Sequence, residues 1–134
     1  MLARIMMAAA FAVLALAAFS FLAVQAAHAP VETVEHYLLT LNEGRLGEAW
    51  EMLHVTSRFK EEGDFEGYLS LMKERMDSVT GWKTHLSHLT GSRAYVDVEL
   101  LRDGGGSRFR LGLRNDGKRW MIHETGSEEP YGGP

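Results

Sequence analysis

The chain has 134 residues, with 14 Lys and Arg against 18 Asp and Glu, no cysteine, and 46% hydrophobic residues. The length suits one domain, and the hydrophobic share is too high for a disordered chain. The lack of cysteine excludes a disulfide frame, an iron–sulfur cluster and a thiol nucleophile, and the formal charge of −4 argues against general nucleic-acid affinity.

The N-terminus reads as an export signal. Arg4 supplies one positive charge, Ile5 to Val24 carries Ser20 as its one polar side chain, and small residues follow up to Ala29. Cleavage after Ala26 fits the small-x-small rule with Val24 and keeps Pro30 away from the cut, so 1–26 is expected to be a signal peptide. An uncleaved anchor over 5–24 is the alternative, since about 20 apolar residues can span a bilayer. Eight of those twenty are alanine, which inserts weakly, and this favours cleavage. Either way the remainder is expected to be exported, periplasmic or secreted, touching membrane only through the N-terminal segment.

Three helices are expected next. Val31, Val34, Leu38 and Leu41 recur at helical spacing, with Tyr37 flanking the stripe and Glu32, Glu35 and Asn42 away from it. Asn42-Glu43-Gly44 ends this helix, and Leu46, Ala49, Trp50 and Leu53 predict a second, covering about Leu46–His54. Phe65, Tyr68, Leu69, Met72 and Met76 make a third stripe, with Asp64 as N-cap and Gly81 as its end.

From Trp82 the period becomes two. Trp82, Thr84 and Leu86, then Ala94, Val96, Val98 and Leu100, then Phe109, Leu111 and Leu113, then Trp120 and Ile122 define the apolar side of four half-buried strands. A four-residue loop at 103–106 would pair Leu100 with Phe109, and a two-residue turn at Asp116-Gly117 would pair Leu113 with Trp120. On the polar side this register sets Glu99 opposite Arg110, Tyr95 opposite Arg114, and Arg114 opposite Arg119. Residues 125–134, with three glycines and two prolines, are expected to be a flexible tail, which leaves 27–124 as the domain. The predicted class is α+β, with helices covering the apolar face of an antiparallel sheet.

Two stretches carry a resemblance. Val31 to Gly44 followed by Glu48 to Leu53, and the ending Arg108 to Ile122 with its turn glycine before a strand-borne Trp120, resemble the opening and the last two strands of the NTF2-like (SnoaL-like) superfamily, and small bacterial exported members in particular. The resemblance implies a cone of curved sheet wrapped on helices, a cavity between them, and dimerisation through the outer sheet face. Members include isomerases, dehydratases and partner-binding modules, so the fold leaves the function open.

Enzymes of this superfamily place an Asp, His or Tyr inside the cone to move a proton. None of the inward strand positions Ala94 to Ile122 is ionisable, and Asp97 and Glu99 fall on the opposite face. Tyr37, His54 and Tyr68 are the weak catalytic candidates, read chiefly as core-edge tyrosines whose hydroxyls touch water and a histidine capping the second helix. Tyr37, Trp50, Phe65, Tyr68, Met72, Trp82 and Trp120 either pack the core or line an apolar ligand pocket. Arg108, Arg110, Arg114 and Arg119 form a basic strip that is either a solvated face or a docking site for an anionic partner. His85 and His88, three apart in a strand, point to opposite sides, so no metal is expected, nor any cofactor. The expected function is therefore a non-enzymatic exported domain binding a small apolar ligand in its cone, or a protein partner or second copy on its sheet. A proton-transfer enzyme and a membrane-anchored envelope assembly component are the alternatives.

Overall fold

The computed structural model describes residues 28–131. The expected signal peptide, 1–26, lies outside these residues. Among the described residues are four helices and five strands, and no helix is long and apolar enough to cross a membrane.

Helix α1 covers 28–42 and buries Val34, Leu38 and Leu41 of the predicted stripe together with the flanking Tyr37, while Val31 is half-buried. Gly44, at φ +77°, stops it. The amides of Gly44 and Arg45 reach back to the carbonyls of Leu41 and Thr40, a double closure that needs the left-handed conformation glycine adopts freely. Helix α2, Leu46–Glu51, is shorter than the expected Leu46–His54. The chain leaves the helix because Leu53 forms a parallel bridge with Ile122, the His54 amide donating to the Ile122 carbonyl and the Ile122 amide to that of Met52. Helix α3, Arg58–Glu62, was not expected, because its five residues are too few to show a period. It ends on Gly63 at φ +65°. Helix α4, Phe65–Met76, starts as predicted, with the Asp64 carboxylate accepting from the Gly67 amide at 2.9 Å. It ends five residues before Gly81 rather than running to it.

The sheet is antiparallel in the order β1 (Gly81–Thr90), β2 (Arg93–Arg102), β3 (Gly105–Asn115), β4 (Trp120–Glu124), with β5 (Glu129–Tyr131) also pairing β3. A β-bulge between Leu86 and His88 and another beside Gly112 and Leu113 bend it. Both expected registers are corrected, each by two residues. The first loop is Asp103-Gly104 alone, so Leu100 faces Ser107 and Val98 faces Phe109. The second spans 116–119, so Leu113 faces Ile122 and Asn115 faces Trp120. The longer loop is stabilised by side chains: Asn115 accepts from the Gly117 amide and Asp116 from those of Lys118 and Arg119. Those amides hold the Asp116 carboxyl below the usual carboxylate range. A shift of two conserves the face of every side chain, so the predicted inward set from Ala94 to Ile122 is buried, with Trp120 half-buried, while Trp82, Thr84 and Leu86 of β1 are half-buried.

The expected flexible tail is corrected over 125–131. Glu129–Tyr131 extends the sheet along the first half of β3, leaving β4 the second half of the same edge. Residues 132–134 lie outside the described part. The helix-borne and strand-borne apolar side chains form one core cluster.

Candidate functional site

Inside the core the two candidate tyrosines come together. Tyr37 from α1 and Tyr68 from α4 are 1% and 0% exposed, and their hydroxyls share a hydrogen bond of 2.7 Å. The Tyr37 hydroxyl also lies 3.7 Å from the Met72 sulfur. This corrects the expectation of hydroxyls touching water. Burial pushes the Tyr37 pKa up to about 12, despite the bond to Tyr68 and the field of Arg75. Tyr68 is driven higher still by burial and then by the adjoining Tyr37. Both phenols are neutral over the physiological range, and each is the other's hydrogen-bond partner.

The aromatic set divides. Trp50 meets Phe65 and Tyr68 edge-on at 5.1 and 5.3 Å between centroids, so Tyr37, Trp50, Phe65, Tyr68 and Met72 form one helix-side cluster in mutual contact. Phe59 of the unexpected α3 joins it, 5.5 Å from Tyr68. Trp82 stands apart, donating its indole N–H to Glu35 at 2.7 Å, while Thr84 donates to the other oxygen of that carboxylate at 2.5 Å. Glu35 therefore faces β1, not away from the core as expected. Trp120 lies at the start of β4, on a surface cleft of about 620 Å³ that it shares with Arg119 and His36.

His54 does not cap α2, which ends three residues before it. Its Nδ1 accepts from the Thr56 amide at 3.1 Å and pairs with the Thr56 hydroxyl at 2.8 Å. Its ring lies 5.9 Å from that of His123, a residue added by the bulge in β4. Burial lowers the His123 pKa, and Arg114 lowers it further. No group of three or more His, Asp or Glu able to hold a metal occurs among the described residues.

The opposite face of the sheet carries an open cleft of about 850 Å³. Lys83 and His85 of β1, Asp97 and Glu99 of β2, and Arg108 and Arg110 of β3 line it, and the segment from Glu124 to Glu129 forms one wall. Arg110 donates to Asp97 at 2.7 Å, and Arg108 lies opposite Glu99. The expected pairs are corrected accordingly: Tyr95 faces Gly112, and Arg114 faces Arg93 on one side and Met121 on the other. Of the basic strip, Arg108 and Arg110 share the cleft, whereas Arg114 adjoins His123 and Arg119 lies in the loop before β4.

Arg75, Glu35 and Glu128 were missed. Arg75 is 2% exposed, yet it follows Tyr68 by seven and Met72 by three, so the helical period already set it on the buried stripe. Its partners, by contrast, are 50 to 53 residues away, where no period reaches.

No family model matches the chain, and no curated protein does. Among solved structures it is similar to a de novo designed protein with a curved β-sheet, at 17% identity and a TM-score of 0.36. That match covers 51% of this chain and 64% of the designed one, so this chain spans less than two thirds of the designed protein's length.

Proposed function

We propose that the protein is an exported, non-enzymatic domain of the NTF2-like kind that binds a protein partner in the charged cleft on the outer face of its sheet. One observation carries this reading: the helix side of the sheet holds mutually packed aromatic residues, while the opposite side opens into a cleft of about 850 Å³ with Lys83, Asp97, Glu99, Arg108 and Arg110 on its walls. Charges of both signs set along a strand face suit a partner of complementary pattern and favour specificity over bulk affinity. The proton-transfer alternative loses support, because two neutral tyrosines bonded to each other inside the core have no substrate to reach. The export signal at Arg4 and Ile5 to Val24 supports a site of action outside the cytoplasm.

A photo-crosslinking residue placed in the full chain at Lys83 or His85, and for comparison at Glu61 or Lys73 on the helical side, tests this in the producing cell. The expected result is one discrete adduct from the cleft positions and none from the helical ones. Equal labelling from both sides, or labelling from the helical side alone, would remove the sheet as the docking face.

A further inference from the structure

Arg75 of α4 is a buried cation whose guanidinium is held by the C-terminal segment. Its Nε donates to the Glu128 carboxylate at 2.8 Å, one terminal nitrogen to the Thr125 carbonyl at 2.5 Å, and the other to the Gly126 carbonyl at 2.9 Å. Its guanidinium carbon lies over the Phe109 ring, 4.2 Å from the centroid. Arg102 completes the receptor: it donates to the backbone carbonyls of Arg75 and Asp77 and to the Ser107 hydroxyl, and approaches the second Glu128 oxygen at 3.9 Å. Beyond this anchor, Glu129–Tyr131 adds to the edge of β3 through Arg108, Ser107 and Gly106. Two arginines for one carboxylate, two backbone carbonyls read by one guanidinium, and a three-residue strand addition together make a peptide-recognition site, which this chain fills with itself. The clefts on both sides of the segment share Gly126 and Ser127, so the strap crosses otherwise open ground.

We propose that this slot between α4 and β3 is a strand-accepting site that also takes residues 125–131 of a second copy, exchanging the C-terminal strap between two chains. The occupant is fixed by the chemistry: an extended segment must bring a carboxylate and two free carbonyls in the Thr125 to Glu128 pattern, and the chain's own segment does so. Exchange replaces every contact by an identical one. An emptied slot would strip the Arg75 guanidinium of its bonds to Thr125, Gly126 and Glu128, so a filled slot is favoured over an empty one. This inference does not rest on the outer-face reading and needs no foreign partner, although the strap is also one wall of that cleft.

Complementary variants of the full chain test it. Glu128→Gln weakens the strap and keeps the slot, and Arg75→Gln weakens the slot and keeps the strap. A mixture can rebuild one intact pair by exchange alone. Native mass spectrometry of the equimolar mixture should show heterodimer at least tenfold above either homodimer. A mixture that remains monomeric, or that dimerises without preference for the mixed species, overturns the proposal. Should Arg75→Gln fail to fold, a fluorescent peptide of residues 125–134 serves instead. It should bind the Glu128→Gln chain at least tenfold more tightly than the wild-type chain, and the same peptide with its Glu128 changed to Gln should lose that binding. Equal binding of the two peptides, or binding of neither, is the result that sinks strap exchange.

Discussion

Tyr37 and Tyr68 show how a residue's chemistry depends on what its neighbour leaves it. Each hydroxyl is buried, and each has the other as its hydrogen-bond partner, with the Met72 sulfur as a weak third. Removing one hydroxyl leaves the other desolvated, which costs about 1–2 kcal/mol, whereas removing both deletes donor and acceptor together. Tyr37→Phe and Tyr68→Phe should therefore each lower stability in urea unfolding, and the double variant should lose less than the sum of the two. Strict additivity would mean that the bond contributes nothing. The pair also sets an alkaline limit. With the Tyr37 pKa pushed up to about 12, the unfolded chain gives up its phenolic protons first, near pH 10. The stability from the neutral pair is complete below that pH. It falls as pH rises from about 10 towards 12, by up to about 1.4 kcal/mol per pH unit for each tyrosine. The double Phe variant should show a flatter decline over that window. The sequence set both tyrosines near apolar stripes, but their meeting depends on how α1 docks against α4, and no local pattern encodes that.

At the scale of elements, parity explains why the strand faces were legible and the loops were not. Side chains alternate along a strand, so an error of two residues in either hairpin leaves Val96, Val98, Leu111 and Ile122 inward. The first loop closes on Asp103-Gly104 alone, whereas the second is lengthened by side-chain bonds from Asn115 and Asp116, a finer matter than the Asp-Gly signal. The strap shows the same limit, since glycine and proline content suggested a flexible tail where Arg75 and β3 hold an ordered segment. Gly126 is its tightest point: it has φ +67°, and a Cβ there would lie 2.3 Å from the Arg110 carbonyl oxygen. Gly117, at φ +94°, meets nothing within 4 Å. Gly126→Ala should therefore cost more than Gly117→Ala, which bears only the strained backbone, about 1–3 kcal/mol. Hydrogen exchange over 125–131 should rise in the first variant alone. Similar thermal shifts and unchanged exchange in both would show that the strap does not depend on this close approach.

For the whole molecule, the proposal of an exported domain makes a prediction that fold and cleft do not. The mature chain should begin at Ala27, giving the mass of residues 27–134 and leaving the membrane fraction on carbonate extraction. A full-length mass retained in carbonate-washed membranes would select the anchored alternative, because an alanine-rich span would then have been held in the bilayer. The sequence by itself determined the α+β order, the inward side of each strand and the Asp64 cap, because hydrophobic period and capping chemistry act within a few residues of chain. Tertiary structure alone decided that Arg75 is satisfied by Thr125, Gly126 and Glu128, that Glu35 serves Trp82 and Thr84, and that two tyrosines close on each other. Those bonds join residues 31 to 53 positions apart, and desolvated polar groups must find whichever partner the packed core brings within reach.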